Sequence, residues 1–393
     1  MLRPDRRDRQ SQATVVDPDG RAAQQHRGAG RRHRLPLGAT DPRPGQPGVR
    51  RGEASGRLRT QGLSGRALAI ALVLLVLAAF SALLLGVSNL GYQRVLQEIW
   101  SQVTGGVSPL SSREAAILWY LRAPRVVLAA LVGGALAISG AAFQGVFRNP
   151  LADPYLLGAA AGAGLGATII VVSAPSWSIA LPLAAFVGAL GGVGLSWVLS
   201  QSAGSGPATL LLAGVAVASF LTAVQTFVQQ ANIDTIQRIY SWMLGGLNTT
   251  GWREVLLSLP YIAVTSVVLW LCGRLLDVLA VGDEEAASLG IRPARVRMVV
   301  LGAASLATAA AVSVGGLIGF VGIVVPHIVR LLAGASYRIV LPLSLLGGAT
   351  FLIVADEIAR TILAPAELPI GVITAFTGAP FFLLVLRMNR AAR

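Results

Sequence analysis

Residues 255–273, VLLSLPYIAVTSVVLWLCG, and residues 298–314, MVVLGAASLATAAAVSV, are apolar runs, and between them at 281–293 stands VGDEEAASLGIRP. Apolar runs near twenty residues long match the thickness of a bilayer rather than the core of a soluble domain. The acidic stretch between them predicts a short, self-contained helix. Asp283 is placed to cap it, and Glu284 and Glu285 fall in its first turn, where the helix dipole favours acids. Gly290 suits the left-handed position after its last turn, and Pro293 discourages continuation. Such a helix reads as a docking knob for another protein, and equally as an ordinary capped loop.

The same apolar pattern recurs along the chain. Ten candidate spans are predicted at 67–87, 124–143, 155–173, 178–200, 208–230, 254–273, 296–314, 317–333, 339–359 and 370–388. The fold class is therefore an all-α polytopic membrane protein. Of the 393 residues 54% are hydrophobic and 13% charged, where a soluble domain carries about 25% charged residues. Spans seven and eight join through Gly315 and Gly316, and Pro326 is expected to break or tilt span eight.

Residues 1–65 differ from the rest. They are rich in Arg, poor in apolar residues and contain no apolar stretch of the kind a secretory signal needs. A disordered cytoplasmic tail is expected there, with a lipid-binding or nucleic-acid-binding arm as the alternative. The net charge of +14 lies mostly in this tail. Arg placement orients the spans: the tail and the terminal LRMNRAAR put both ends, and residues 281–293, in the cytoplasm. Arg122 and Arg125 then fall outside, against the trend. Interfacial anchoring to lipid phosphate and pairing with a soluble partner both account for them.

The outer loop 88–121 contains YQRVLQEIW, which predicts an interfacial amphipathic helix, and Ser111 with Glu114 forms a capping-box pattern. Gly158, Gly162 and Gly166 recur every four residues, and Gly188 and Gly192 repeat the pattern, which lets helices approach closely in lipid. In RNPLADP, Pro150 and Pro154 predict a non-helical turn in which Asn149 bonds local backbone.

Several chemistries are excluded. All 32 basic residues are Arg, so the chain lacks the lysine of a P-loop ATPase. One cysteine, Cys272, permits no intrachain disulfide, and His327 is the one histidine outside the tail, so no metal site and no cofactor are expected. The first seven spans carry no acid or histidine at mid-depth, which disfavours a proton-driven secondary transporter. His327 and Cys272 have no evident catalytic partners, so no enzyme is expected. The lysine-free, Ala-, Gly- and Arg-rich composition hints at a GC-rich bacterial genome.

The stretches LRAPRVVLAALVGGALAISGAAFQGVFRNPLADPYLLG, GDEEAASLGI, GGLIGFVGIVVPHIVRLLAG and AELPIGVITAFTGAPFFLLVL, spread over about 110–390, resemble the FecCD-type permeases, membrane subunits of type II ABC importers for iron-siderophores, haem and vitamin B12. The resemblance implies the type II ABC importer permease fold, a permease domain over 66–393, a homodimer or a pair with a close paralogue around a central pathway, a separate ABC ATPase dimer, and an extracytoplasmic substrate-binding protein. It makes residues 282–290, with Asp283, Glu284, Glu285, Ala286, Ala287, Ser288, Leu289 and Gly290, the ATPase-coupling helix. It makes Arg122, Arg125 and Arg360 the residues that receive acidic side chains of the binding protein. Glu357, three residues before Arg360, departs from the family and would partly occupy that Arg. The loop QSAGSGP, 201–207, with Ser202, Gly204 and Ser205, falls at the inner gate, and spans five and ten would line the path. The expected role is import of an iron-siderophore across the bacterial cell membrane, with cobalamin or haem as alternatives and no catalysis by this chain. A secondary transporter and a membrane-anchored nucleic-acid binder are the rival classes, with no nucleic acid expected as partner.

Overall fold

The computed structural model describes residues 64–391, apart from 87–89, 175–179, 205, 248 and 250. The Arg-rich tail and Ser205 lie outside the described residues. The described residues form helices joined by short loops, with no strand among them. Its helices are α1 (Gly65–Leu84), α2 (Tyr92–Thr104), α3 (Ser112–Ala116), α4 (Ala123–Phe147), α5 (Ala159–Ser173), α6 (Leu181–Ser202), α7 (Pro207–Gln230), α8 (Ile236–Met243), α9 (Arg253–Leu271), α10 (Gly273–Val281), α11 (Asp283–Ser288), α12 (Pro293–Gly315), α13 (Val321–Ala333), α14 (Tyr337–Thr361) and α15 (Ile370–Ala391). Seven are long and apolar enough to cross a membrane, and α5, α13 and α15 are shorter apolar helices at three further expected positions.

Span two is longer than the sequence suggests. α3 and α4 join through a π-helical turn, Ile117–Arg122, into one continuous rod over residues 112–147. The Ser111–Glu114 capping box forms and starts it: the Ser111 hydroxyl accepts from Glu114 N–H, while the Glu114 carboxylate accepts from Ser111 N–H at 2.9 Å. α4 is buried along most of its length and packs against α14, α12 and α13. It is therefore the central post, with α9 and α1 also against it, while α5, α6 and α7 pack on one another and join the bundle through α12.

Small residues set the tightest crossings. A Cβ on Gly162 would lie 2.1 Å from the Gly188 carbonyl oxygen, and one on Gly192 would lie 2.4 Å from that of Gly158. The two glycine series of α5 and α6 thus interlock with each other, backbone on backbone. α4 and α14 repeat the device with Gly133 and Gly348.

Span eight departs from expectation. Pro326 does not break α13, which runs through it, and the break lies upstream at 316–320, where Gly316 (φ 70°) and Phe320 (φ 68°) take left-handed conformations. A proline inside a helix frees the carbonyl four residues before it, here that of Gly322. Gln144 Nε2, buried on α4, donates to that oxygen at 3.0 Å. The neighbouring helix therefore supplies the bond that Pro326 cannot.

Candidate functional site

The predicted site residues fall into groups at the two ends of α4. At its C-terminal end Arg148 takes the left-handed conformation that ends the helix, φ 48°. Its Nε donates to the Leu279 carbonyl at 2.8 Å, and its Nη2 donates to the Asp283 carboxylate. Arg297 on α12 donates to the same carboxylate at 2.6 Å. Asp283 therefore does not cap α11, as the sequence suggested. The N-cap is Gly282 in extended backbone, and no side chain bonds there. Asp283, drawn to two guanidinium groups, instead clamps α11 to α4 and α12. The Arg297 hydrogen bond, with the charges of Arg297 and Arg148, holds its carboxyl below the usual range against a burial effect.

The other end of α11 forms as expected. Gly290 has φ 78°, Ile291 N–H donates to the Ala286 carbonyl at 3.0 Å, and Gly290 N–H donates to that of Ala287 at 2.9 Å. This is the Schellman arrangement. Ala286, expected among the ATPase-coupling residues, faces the other way. It is fully buried in the cluster of α4, α10 and α12 side chains, so it cannot touch a partner. Glu284, Glu285, Ala287, Ser288 and Leu289 are exposed, with Leu289 at 69%.

At the other end of α4 the three Arg side chains have an occupation that the sequence did not suggest. The last carbonyls of α1 have no partner within their own helix. Arg122 donates to Leu83 at 2.9 Å and Leu84 at 3.1 Å, and Arg360 donates to Leu85 at 2.9 Å and Ala82 at 2.6 Å. Both are 6% exposed. They close the C-terminus of the first span. Arg125 is held by two carboxylates: its Nε donates to Asp356 at 2.9 Å and its Nη2 to Glu367 at 3.0 Å. Asp356, 1% exposed, also lies 3.3 Å from Arg360 Nε. The expected pairing of Glu357 with Arg360 is not formed. Glu357 accepts from Ser81 of α1 at 2.8 Å, and Asp356, one turn before Arg360, takes that place. Sequence reasoning missed Asp356 and Glu367. The signal for Asp356 was its i, i+4 spacing to Arg360.

At the predicted inner gate, Ser202 is exposed at the end of α6 and donates to the Leu199 carbonyl at 2.8 Å. Gly204 has φ 109° with no neighbour within 4 Å of a side chain placed there. The RNPLADP turn bonds as expected through Asn149, whose Oδ1 accepts from Leu151 N–H at 2.9 Å. Asp153 caps the following 3-10 turn by accepting from Tyr155 N–H at 2.8 Å. Burial nevertheless pushes the Asp153 carboxyl up to about 6.

Two clefts meet at one backbone seam. Gly371 N–H donates to the Leu244 carbonyl at 3.1 Å, and Gly246 N–H donates to that of Gly315 at 3.0 Å. On one side is an apolar cavity of about 640 Å³ lined by Met243, Leu317, Phe320, Val372 and Phe376. On the other is a polar cleft of about 360 Å³ holding Arg125, Arg238, Glu254 and Glu367. The left-handed Phe320 puts its ring against Gly378 of α15, where a Cβ would come within 2.4 Å.

The sequence pattern of the FecCD transport family matches residues 73–388. The chain is 44% identical to the cobalamin import system permease protein BtuC of Halobacterium salinarum, over 69% of this chain and 73% of that one. It is 38% identical to the hemin transport system permease protein HmuU of Yersinia pestis, over 82% and 95% of the two chains. A chain solved in an inward-facing conformation and assigned to the metal-chelate type of ABC transporter superposes with TM-score 0.73 and 27% identity, over 83% of this chain and all of that one. With ten apolar helices at the expected places and a pattern match across nearly the whole described body, the chain belongs to the FecCD transport family, the membrane permeases of type II ABC importers.

Proposed function

We propose that this chain is the permease subunit of a binding-protein-dependent importer that moves a ferric siderophore across the cell membrane, with ATP hydrolysed on a separate pair of ATPase chains. The observation that carries the mechanism is α11. It is a capped helix of under two turns, clamped to α4 and α12 through Asp283 and exposing Leu289 and Ala287. A rigid projection of this kind passes a push from an ATPase directly to the central post α4. The termini and α11 are assigned to the cytoplasm by Arg placement.

A second copy, or a close paralogue, is proposed to face α7 and α15. Both present large apolar side chains outward: Leu212 is 72% exposed, Phe227 75% and Phe376 75%. The apolar cavity beside Phe320 lies on the α15 side and would become part of the path. Ser202, Gly204 and Ser205 would meet their counterparts at the inner gate. A substrate-binding protein is proposed to dock at the Arg122 end. Arg125 and the half-exposed Glu367 would be the charges it meets, while Arg122 and Arg360 stiffen the face from beneath.

An apolar wall suits a cargo with an organic shell around its charge, and likeness to a metal-chelate transporter supports a ferric chelate. Cobalamin or haem is the second reading, favoured by the relatives named for those cargoes. The test is reconstitution of the permease with its ATPase and binding protein in proteoliposomes, offered ferric siderophore, cobalamin and haemin separately. ATP-dependent accumulation of labelled iron supports the first reading, and accumulation of cobalamin or haemin alone selects the second. Uptake driven by a proton gradient without ATP overturns both and makes the chain a secondary transporter.

A further inference from the structure

α2 is unused by the mechanism above. Its buried face is Val95, Glu98 and Ser101, and its opposite face exposes Tyr92 (64%), Leu96 (46%), Trp100 (69%) and Val103 (78%). Steps of four, four and three residues put these four on one stripe of the helix. Neither charged residue of α2 is on that stripe. Glu98 is fully buried and accepts from Trp119 Nε1 at 3.0 Å, from Gln102 Nε2 at 3.1 Å, and from the Ser108 hydroxyl. Arg94 is paired with Glu114 at 2.6 Å and also donates to the Pro109 carbonyl at 3.1 Å.

The level of α2 is fixed as well. Val95 packs with Leu90, Leu110 and Leu118 in a buried cluster against Leu83 and Leu84, the last turn of α1, and Trp119. α2 is thus fastened to the ends of two spans, at the depth where hydrocarbon gives way to headgroups. α1 itself presents Ile70, Val73, Leu74 and Leu77 outward, all more than half exposed, so bilayer-facing surface leads to the helix.

We propose that α2 is an interfacial anchor, with Tyr92, Leu96, Trp100 and Val103 set into the headgroup–acyl boundary of the leaflet at the Arg122 end. An aromatic and aliphatic stripe at that depth is what a lipid interface takes. A soluble carrier steered by charge finds none there. Glu98 is the positioning residue: its three donors come from α2, the 105–111 loop and the start of span two, so its bonds fix which face turns outward.

The test uses the full-length chain without its ATPase, which leaves α11 in water, in nanodiscs of phosphatidylcholine and phosphatidylglycerol. A single cysteine is introduced by Val103→Cys in a Cys272→Ala background and labelled with a fluorophore. Ser288→Cys on exposed α11 serves as the aqueous reference. The Val103 probe should be quenched strongly by lipid carrying a nitroxide near its headgroup and less by one at the chain end. Iodide should quench it several-fold less than the Ser288 probe. Equal iodide quenching at both sites without lipid quenching overturns the proposal. So does protection that arises only when the binding protein is added, which makes the stripe a protein-docking face. Val103 is exposed, so the labelled variant keeps the fold, and none of these readouts depends on which cargo is carried.

Discussion

Arg360 donates from Nη2 to the carbonyl oxygen of Ala82 at 2.6 Å, across 278 residues of chain. Its Nη1 takes the Leu85 carbonyl as well. Replacement by Met leaves two carbonyls at a buried helix end without donors and leaves Asp356 with only Arg125. Hydrogen bonds to charged groups contribute about 1.5–3 kcal/mol each, so Arg360→Met should destabilise the permease by about 2–4 kcal/mol. Lys cannot reach two carbonyls with one planar fork and should recover little of the loss. Unfolding of the detergent-solubilised chain measures both. An Arg360→Met variant as stable as the parent would show that the contact to α1 is incidental.

Gly322 and Gln144 give a sharper test, because Pro326 explains why they meet. Gln144→Leu should cost about 1–3 kcal/mol, since the Gly322 carbonyl loses the donor that stands in for the missing N–H. Pro326→Ala restores that N–H within α13. In its background the cost of Gln144→Leu should fall by about 1 kcal/mol, a coupling that a double-mutant cycle reads directly. The cost should not vanish, because Gln144 Oε1 also accepts from Arg330. Additive effects of the two substitutions would mean that the carbonyl is satisfied in another way.

How much of this was legible in the sequence depends on the range of the interaction. The ten apolar helices follow from local composition and length, and the Ser111–Glu114 box and the Gly290 end of α11 follow from spacing within one turn. The glycine series of α5 and α6 were visible separately, and lipid packing explains why they pair. The partners of Arg122 and Arg360 were not visible, because carbonyls of α1 carry no residue signature and lie 39 and 278 residues away. Glu357 was singled out over Asp356 because side-chain direction on α14 is set by where α1 and α4 pack. Asp283 was read as a cap from its position alone, and its two Arg partners come from elements brought together only by folding. The left-handed backbone of Phe320 has no cue in residue type.

Asp153 should give the protein a specific pH dependence. Its carboxyl ionises near 6 in the folded chain and at about 3.9 when unfolded. Between those values the folded state binds more protons, so this residue makes stability fall as pH rises, and its penalty is complete above pH 6. Asp153→Asn keeps an oxygen to accept from Tyr155 N–H without the charge. The variant should match the parent near pH 4 and exceed it at about pH 7. Tm measured across that range decides it. A variant whose Tm falls below the parent by the same amount at both ends would show that ionised Asp153 is not penalised.

Asp283 clamps α11 to the bundle, and that separates coupling from folding. Ala287 is exposed and Ala286 is buried, although they are neighbours on the same short helix. Ala287→Arg puts a long charged side chain on the outward face and leaves the inner packing intact. It should keep the parent's Tm while lowering ATP-dependent transport by an order of magnitude or more, with less ATPase recovered in co-purification. Ala286→Arg forces a guanidinium among the apolar side chains of α4, α10 and α12, and should instead reduce folded protein. Asp283→Asn weakens the two Arg contacts without adding bulk. It should leave ATPase recovery intact and lower transport per ATP hydrolysed, because the push is no longer delivered rigidly to α4. Full transport by Ala287→Arg would place the ATPase contact elsewhere. Unchanged transport per ATP in Asp283→Asn, beside a defective Ala287→Arg, would keep α11 as the contact and remove the clamp from the path of force.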